Sequence, residues 1–240
     1  MAQLSGSERQ RYVAKLFTRI SKHYDVMNTI MTFGMHHQWK RLTAKLTTEG
    51  LSGLALDIAT GTGDLSLQLA KNEDITYSIG IDLIPEMINL ASDKSRKTAV
   101  NHKTTFLVGD ALNLPFPNST FACATAGFSL RNMPDLRQAL TEMARVVEPN
   151  GRVTTLELTP MNRSLQSKLF RIYFHKVVPI IGHLITGDKS AYTYLPESVD
   201  YFIGCDKLSE LMTSIGLVEV GYRKVGFGTV AIHYGIKPSS

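Results

Sequence analysis

Within this 240-residue chain, the stretch Leu56-Asp57-Ile58-Ala59-Thr60-Gly61-Thr62-Gly63-Asp64 does most to limit the possible fold. A short apolar run ends in Gly-x-Gly and passes directly into a helical pattern, so it reads as a buried strand turning sharply into a helix. Glycines at such a turn let backbone N–H groups approach a ligand with no Cβ in the way. A Gly-x-Gly turn alone is also what any tight strand-to-helix connection needs. Its surroundings decide more.

Short apolar runs alternate with helical patterns after this turn. Strands are predicted at 54–58, 77–81, 104–108, 121–126 and 152–158, with helices at 63–71, 85–99 and 134–147. Pro85 and Pro134 fall where helix starts tolerate proline, and Glu148-Pro149-Asn150-Gly151 is a turn signal. A further helix is predicted near 206–215, then strands near 217–224 and 228–236 that pair as a hairpin. This alternation predicts an α/β fold: a doubly wound, mostly parallel seven-stranded sheet with a C-terminal antiparallel strand. Before it, Val13, Leu16, Phe17, Ile20, Tyr24, Met27 and Met31 recur in steps of three and four, the stripe of one amphipathic helix. The expected organisation is a single domain over 1–240. Residues 1–50 form a helical lid, 51–160 a ligand-binding core, 161–200 a helical insertion on the substrate side, and 201–240 the final helix and strands.

Charge is informative by its placement. The chain carries 26 Lys+Arg and 21 Asp+Glu, but residues 1–50 have a net +5, residues 51–160 a net −3 and residues 161–240 a net +3. Any anionic surface would be met by the flanks. Residues 163–186 hold four basic residues, no acid and many large apolars, which is the composition of an interfacial element. Packing of that apolar side into the core explains the same pattern, and both can hold. No run approaches ~20 apolar residues, so no span of a membrane is expected. The N-terminus has no secretory pattern, and Cys123 and Cys205 form no framework or metal motif. A cytoplasmic setting follows, with a peripheral visit to a membrane left open.

Two later acids sharpen the glycine turn. Asp82 ends the second strand 19 positions after Gly63, where a ribose-binding acid is expected, and Asp110 follows the third strand. With Asp57, three acids stand at the carboxyl ends of consecutive strands, the edge where such sheets bind ligands. A dinucleotide would want glycine at position 66, which is Ser66. Asp57 and Asp64 beside the turn would repel a pyrophosphate and suit a cationic nucleoside. S-adenosylmethionine is such a ligand.

Asp57–Asp64 resembles motif I of class I methyltransferases, and further blocks resemble one family among them. These are Tyr24-Asp25-Val26-Met27-Asn28 with Trp39-Lys40, Gly127-Phe128-Ser129-Leu130-Arg131-Asn132, Glu142-Met143-Ala144-Arg145-Val146, Tyr192–Ser198 and Val230–His233. Together they are similar to the menaquinone/ubiquinone biosynthesis C-methyltransferases, from about residue 10 to the end. The resemblance implies S-adenosylmethionine as methyl donor, S-adenosylhomocysteine as product, and a prenylated quinol as substrate. It also implies cofactor contacts at Gly61, Thr62 and Gly63, ribose binding by Asp82, adenine recognition by Asp110 with the Ala111 backbone, and a backbone contribution from Gly127. Departures from the family pattern fall at His37, Ser129, Asn150 and Phe227, outside the cofactor blocks.

Methylating a ring carbon needs electron density there, so the substrate has to be the reduced quinol with one hydroxyl ionising. A phenol with pKa near ~10 is about 0.1% ionised at neutral pH, a deficit of roughly 4 kcal/mol. Arg131, just past the fourth strand, is the leading catalytic candidate, as a cation beside the developing phenolate. Tyr24 is second, with core packing equally open. Asn28, Asn132 and His233 are substrate-side candidates. For Asn132 a helix cap near Pro134 is the competing expectation, and for His233 a satisfied core histidine. His36-His37 reads as loop, contacting substrate or nothing. No spacing suggests a metal, and the chemistry needs none. A nucleic-acid partner is not expected, since neither a Pro-Pro-aromatic motif nor a nucleophilic cysteine motif is present. A homodimer is compatible with the sequence. Two alternatives stay open: a methyltransferase for another phenol or lipid, and a non-catalytic cofactor-binding scaffold.

Overall fold

A computed structural model describes residues 6–160 and 170–239, so residues 161–169 of the basic, apolar segment lie outside the described part. The chain opens with α1 (Gly6–Ile20), a 3-10 turn (Ser21–His23), α2 (Tyr24–Met31) and α3 (Met35–Thr48). The core follows as β1 (Gly53–Ile58), α4 (Asp64–Leu69), β2 (Ile75–Asp82), α5 (Pro85–Ser95), β3 (Thr104–Val108), β4 (Phe121–Gly127), α6 (Leu136–Val146) and β5 (Val147–Leu158). After a π-helical turn (Tyr173–Val177) come α7 (Val178–Thr186), α8 (Lys189–Asp200), α9 (Cys205–Ser214), β6 (Val218–Val225) and β7 (Val230–Ile236).

The seven strands run in the order β3-β2-β1-β4-β5-β7-β6. β1 to β5 are parallel, and β7 is antiparallel to both neighbours. The mostly parallel sheet with its reversed C-terminal strand is therefore as expected from the alternation. Strand order reverses between β1 and β4, and the crevice outside their carboxyl ends is where such sheets bind ligands. The strands read as buried runs because helices cover both faces. Leu56, Ile58, Ala124, Leu140, Met143, Val153 and Met212 pack on one face, while Ala44, Ala55, Leu65, Leu69, Ile75 and Cys123 pack on the other.

Two predicted elements differ in form. The single N-terminal helix is broken at Ser21–His23, where the Ser21 hydroxyl donates to Thr18 O at 3.0 Å. The apolar stripe runs straight through this break, so its period could not reveal it. β5 starts at Val147 rather than 152. Its register jumps against β4, and Asn150 takes φ 63°, so the predicted turn survives as an irregularity inside the strand.

A separate apolar cluster lies on the substrate side. Leu16, Ile20, Met27, Phe174, Val178, Tyr192 and Tyr194 join α1, α2, the π-helical turn, α7 and α8. These elements pack on one another over the crevice, and a cavity remains among them.

Candidate active site

The glycine turn is stitched from within. Asp57 is fully buried, and burial raises its pKa against bonds donated by Thr60 Oγ1 (2.6 Å), Thr125 Oγ1 (3.0 Å), and Ser66 N and Oγ (3.0 Å each). Its oxygens thus hold the turn together rather than facing a ligand, and Asp57 lines neither cavity. Ser66, which counted against a dinucleotide, is one of these clamps. Gly63 takes φ 82°, and a Cβ there would stand 2.8 Å from Phe106 and 2.9 Å from Ala91. Only glycine fits.

Asp82 accepts from Gly61 N at 2.8 Å and Ile84 N at 3.0 Å, one on each oxygen. Burial pushes its pKa up to about 6 despite these bonds. Asp110 accepts from Leu112 N at 2.9 Å and, on its other oxygen, from the amide of Gln10 on α1 at 2.9 Å. Gly61, Asp82, Asp110, Ala111 and Gly127 line one cavity of about 120 Å³. Gln10, Val13, Ala14 and Phe17 of α1 cover it. That volume is well below the ~300 Å³ at which small-molecule sites begin, so α1 lies closed over this site.

Thr62 and Gly63 do not line it. Thr62 Oγ1 donates to Asp25 Oδ1 at 2.6 Å and accepts from Lys94 Nζ at 3.0 Å. Lys94 also pairs with Asp25 and Asp64, at 2.6 Å each, and Lys40 pairs with Asp64 at 2.8 Å. Burial would lower the Lys40 pKa, but Asp64 outweighs it and the net shift is upward. Asp64, opposed by burial, is nonetheless held well below the usual carboxylate range by the two ammoniums. This corrects the expectation that Asp64 faces a cationic ligand: both its oxygens are already neutralised. The same network ties α2, α3 and α5 to the turn. His36, His37 and Asp64 approach closely enough to share an ion, but those lysines hold the carboxylate.

A second cavity, of about 800 Å³, adjoins the first and shares Phe17, Tyr24, Phe128 and Asn132 with it. Its walls are mainly Met, Leu, Phe and Tyr side chains, with Trp39 packing beside Phe128 at 6.4 Å between ring centroids. Tyr24 lines both cavities, its ring edge-on to Phe17 at 6.0 Å, and its hydroxyl bonds none of the described residues. Asn28 lines the larger one. Phe33 and Phe227 stand on its wall while 77% and 91% exposed, which puts them at the rim.

Arg131 also lines the larger cavity but is not a lone cation. It is 5% exposed and pairs with buried Glu157 at 2.5 Å, while Nη1 also donates to Phe128 O at 2.6 Å and Nε to Ser198 Oγ at 3.3 Å. Among the described residues no acceptor meets Nη2. Asn132 does not cap the next helix: Asp135 does, accepting from Gln138 N at 2.9 Å, and Asn132 Oδ1 accepts from the Tyr194 hydroxyl at 3.1 Å. His233 lies in β7 away from both cavities. Its Nε2–H donates to Cys205 O at 3.1 Å, and burial lowers its pKa to about 4. Its Nδ1 is buried without a partner, so this core histidine is only half satisfied.

Sequence reasoning passed over Lys40, Lys94, Asp25 and Glu157 as site residues, and left His36 as contacting substrate or nothing. His36 and His37 sit in α3, not in a loop. Gly34, at φ 75°, turns the chain into that helix, and the glycine was the available signal. The ion pairs left no local trace, because their members are 24 to 69 residues apart in the chain.

The model of the ubiE/COQ5 methyltransferase family matches residues 4–237. A protein of Roseiflexus castenholzii described as demethylmenaquinone methyltransferase is 38% identical over 230 residues, covering 96% of this chain and 95% of its own. A Rickettsia bellii protein described as ubiquinone/menaquinone biosynthesis C-methyltransferase UbiE is 36% identical, covering 98% and 96%. Among solved structures, a SAM-dependent methyltransferase from Thermotoga maritima superposes with a TM-score of 0.65 at 18% identity, over 93% of this chain and 98% of that one. At that identity the likeness concerns the fold.

Proposed function

The chain belongs to the ubiE/COQ5 methyltransferase family, and on that premise we propose that it moves a methyl group from S-adenosylmethionine to a ring carbon of a prenylated quinol, most simply demethylmenaquinol. The observation that carries the proposal is the pair of adjoining cavities, one smaller with the Asp82 and Asp110 carboxylates on its wall, the other large and aromatic. A nucleoside and a hydrophobic ring with a tail need two such spaces, meeting where the methyl group passes.

The residues fit the cofactor. Gly61 at φ 56° has no atom nearer than Tyr24, 3.8 Å from where a Cβ would stand, so its backbone is open to an approaching ligand. Asp82, fixed by two N–H donors, keeps lone pairs on both oxygens for two ribose hydroxyls. Asp110 offers an acceptor to the adenine amine once Gln10 leaves it, with Ala111 and Gly127 contributing backbone. In our assignment Thr62 and Gly63 act through the shape of the turn, and Asp57 holds it. Bound there, the cofactor supplies an electrophilic methyl group, and no metal is required for the transfer.

The chain's own groups then do three things. The aromatic walls, including Trp39 and Phe128, exclude water and hold the ring flat. Arg131 donates from Nη2 to a quinol oxygen. Because Glu157 balances the guanidinium, the donor acts as a fixed dipole, which costs no reorganisation as charge develops. Tyr24, Asn28 and Asn132 orient the ring at the junction. His233, in the core of β7, has no part in this assignment.

The tail and the surface belong together. Ile172, Lys176, Ile180 and Leu184 recur in steps of four and are exposed, in a segment that starts beside the rim residue Phe33, whose ring stacks on Tyr173 at 5.9 Å. Such a segment suits transient contact with an anionic bilayer, from which the quinol enters. No helix among the described residues is long and apolar enough to cross a membrane. Replacing Ile180 and Leu184 by Asp should abolish sedimentation with anionic vesicles while leaving turnover of a short-chain quinol intact. Equal vesicle binding by both proteins would remove the membrane assignment. The catalytic reading is tested with one naphthoquinone substrate in both redox states: methyl transfer is expected to the quinol and not to the quinone. Transfer to neither, with the cofactor bound, would support the scaffold instead.

A further inference from the structure

Methylation of a quinol carbon releases the proton of the neighbouring hydroxyl, and something on the cavity wall has to accept it. None of the described residues lining the larger cavity is Asp or Glu. Residues 1–5 and 161–169, which are not described, include no Asp, Glu or His. Lys40, Arg131 and Lys224 present ammonium and guanidinium groups, which only donate. Tyrosine hydroxyls are no stronger bases than the quinol itself. His36 is the one imidazole among the described lining residues.

Its tautomer follows from its neighbours. The Thr32 hydroxyl has a single proton, donated to Asn28 O at 2.6 Å. The 2.8 Å contact between Thr32 Oγ1 and His36 Nδ1 therefore has the imidazole N–H donating, which leaves the lone pair on Nε2. No described residue bonds Nε2, and it is not among the fully enclosed polar atoms without partners, although the residue is only 2% exposed. A neutral ring with one nitrogen fixed by Thr32, in a residue that lines the cavity, thus keeps the lone pair of the other nitrogen unbonded. Burial first, then Lys40 and His37, lower its pKa to about 4, opposed by Asp64 and Asp25. These are the charged groups facing it from α2, α3 and α4; Lys94 of α5 reaches it only through the two acids it pairs with.

We propose that His36 Nε2 is the base that takes the quinol hydroxyl proton during methyl transfer. The assignment rests on the quinol methylation proposed above. The ring carbon forms its bond to the methyl group as the carbon–sulfur bond breaks, its electron pair leaving with sulfur. The O–H pair becomes the C=O of a dienone, and the proton passes to Nε2. The methylated carbon then gives its own hydrogen to water, the ring regains aromaticity, and the oxygen takes its proton back from His36. One proton reaches solvent overall. A weak base suffices, because the hydroxyl it meets is no longer that of a phenol. It is becoming the hydroxyl of a protonated ketone, a far stronger acid.

Trp39, the single tryptophan of the chain, lines the same cavity and reports quinol binding by fluorescence without cofactor. In His36→Gln the dissociation constant of a reduced short-chain demethylated naphthoquinol should stay within about threefold of wild type. The single-turnover rate at pH 7 should fall about 100-fold or more, the usual scale of a lost general base. The variant's rate should then climb about tenfold per pH unit between pH 6 and 9, as solution ionisation of the quinol takes over, while wild type stays flat. In His36→Ala, added imidazole should restore at least tenfold. A His36→Gln rate within threefold of wild type, a pH-independent variant, or binding weakened as much as the rate falls would each overturn the assignment. A wild-type protein that methylates no quinol carbon would overturn the function beneath it instead, so the two failures are distinguishable.

Discussion

Asp82 carries the clearest pH signature in the molecule. Its pKa, pushed up to about 6 by burial, means that the carboxyl is half protonated near pH 6 and largely neutral below about 5. Ribose hydroxyls donate to the ionised form and so favour it. Cofactor affinity should therefore rise with pH up to about 6 and level off above it, with protons released on binding between about pH 4 and 6. Calorimetry in buffers of different ionisation enthalpy measures that release directly; proton uptake, or none, would contradict the assignment of Asp82. Arg131 needs a different design. Removing either partner of its buried pair with Glu157 should cost about 3–5 kcal/mol of stability, since an uncompensated charge is left inside. The double variant R131M/E157Q removes both charges and should unfold near the wild-type denaturant midpoint. Its turnover should nevertheless fall at least tenfold with cofactor affinity unchanged. Full activity in the double variant would show that Arg131 merely packs.

Among the elements, the ones that carry acids and glycines at their ends were readable from the chain alone. β1, its turn and α4 were legible because Gly61 and Gly63 punctuate a buried run, and β3 because Phe106-Leu107-Val108, after two β-branched threonines, is bounded by polar segments. The break between α1 and α2 was not legible, since three residues of 3-10 turn leave the apolar stripe in phase. α3 was missed at its start for a related reason: Met35-His36-His37 has no helical signature until Gly34 supplies the left-handed turn. Charge pairing was the least legible. Nothing local in Asp25, Lys40, Asp64 and Lys94 announces that they meet, and Asp64 was read as facing ligand when it faces lysines. α1 has a consequence for binding. Gln10 holds the oxygen of Asp110 that the adenine amine would use, and α1 covers a space too small for the nucleoside. Gln10→Ala should tighten cofactor binding by about two- to tenfold, the value of one competing hydrogen bond. Weaker binding would mean that Gln10 assists the cofactor rather than competing with it.

At the scale of the whole molecule, the basic flanks and acidic middle have separate causes. The acids of the middle stabilise the turn, bind its lysines and end the strands of the crevice. The flanks build the substrate side, where α1, α2, α7 and α8 surround a cavity that the sheet alone would not create. Fold and cofactor could be read from strand–helix alternation and glycine placement, whereas the substrate space could not, because it is enclosed by helices from both ends of the chain. In the proposed reaction those two spaces meet so that carbon, not oxygen, receives the methyl group. Carbon-13 methyl-labelled S-adenosylmethionine, incubated with the protein and a reduced demethylated naphthoquinol, tests it in one spectrum. A labelled methyl carbon is expected at the shift of an aryl-CH3, with both ring hydroxyls still free. A label at the shift of a methoxy group, or no labelled quinol while the cofactor binds, would contradict it.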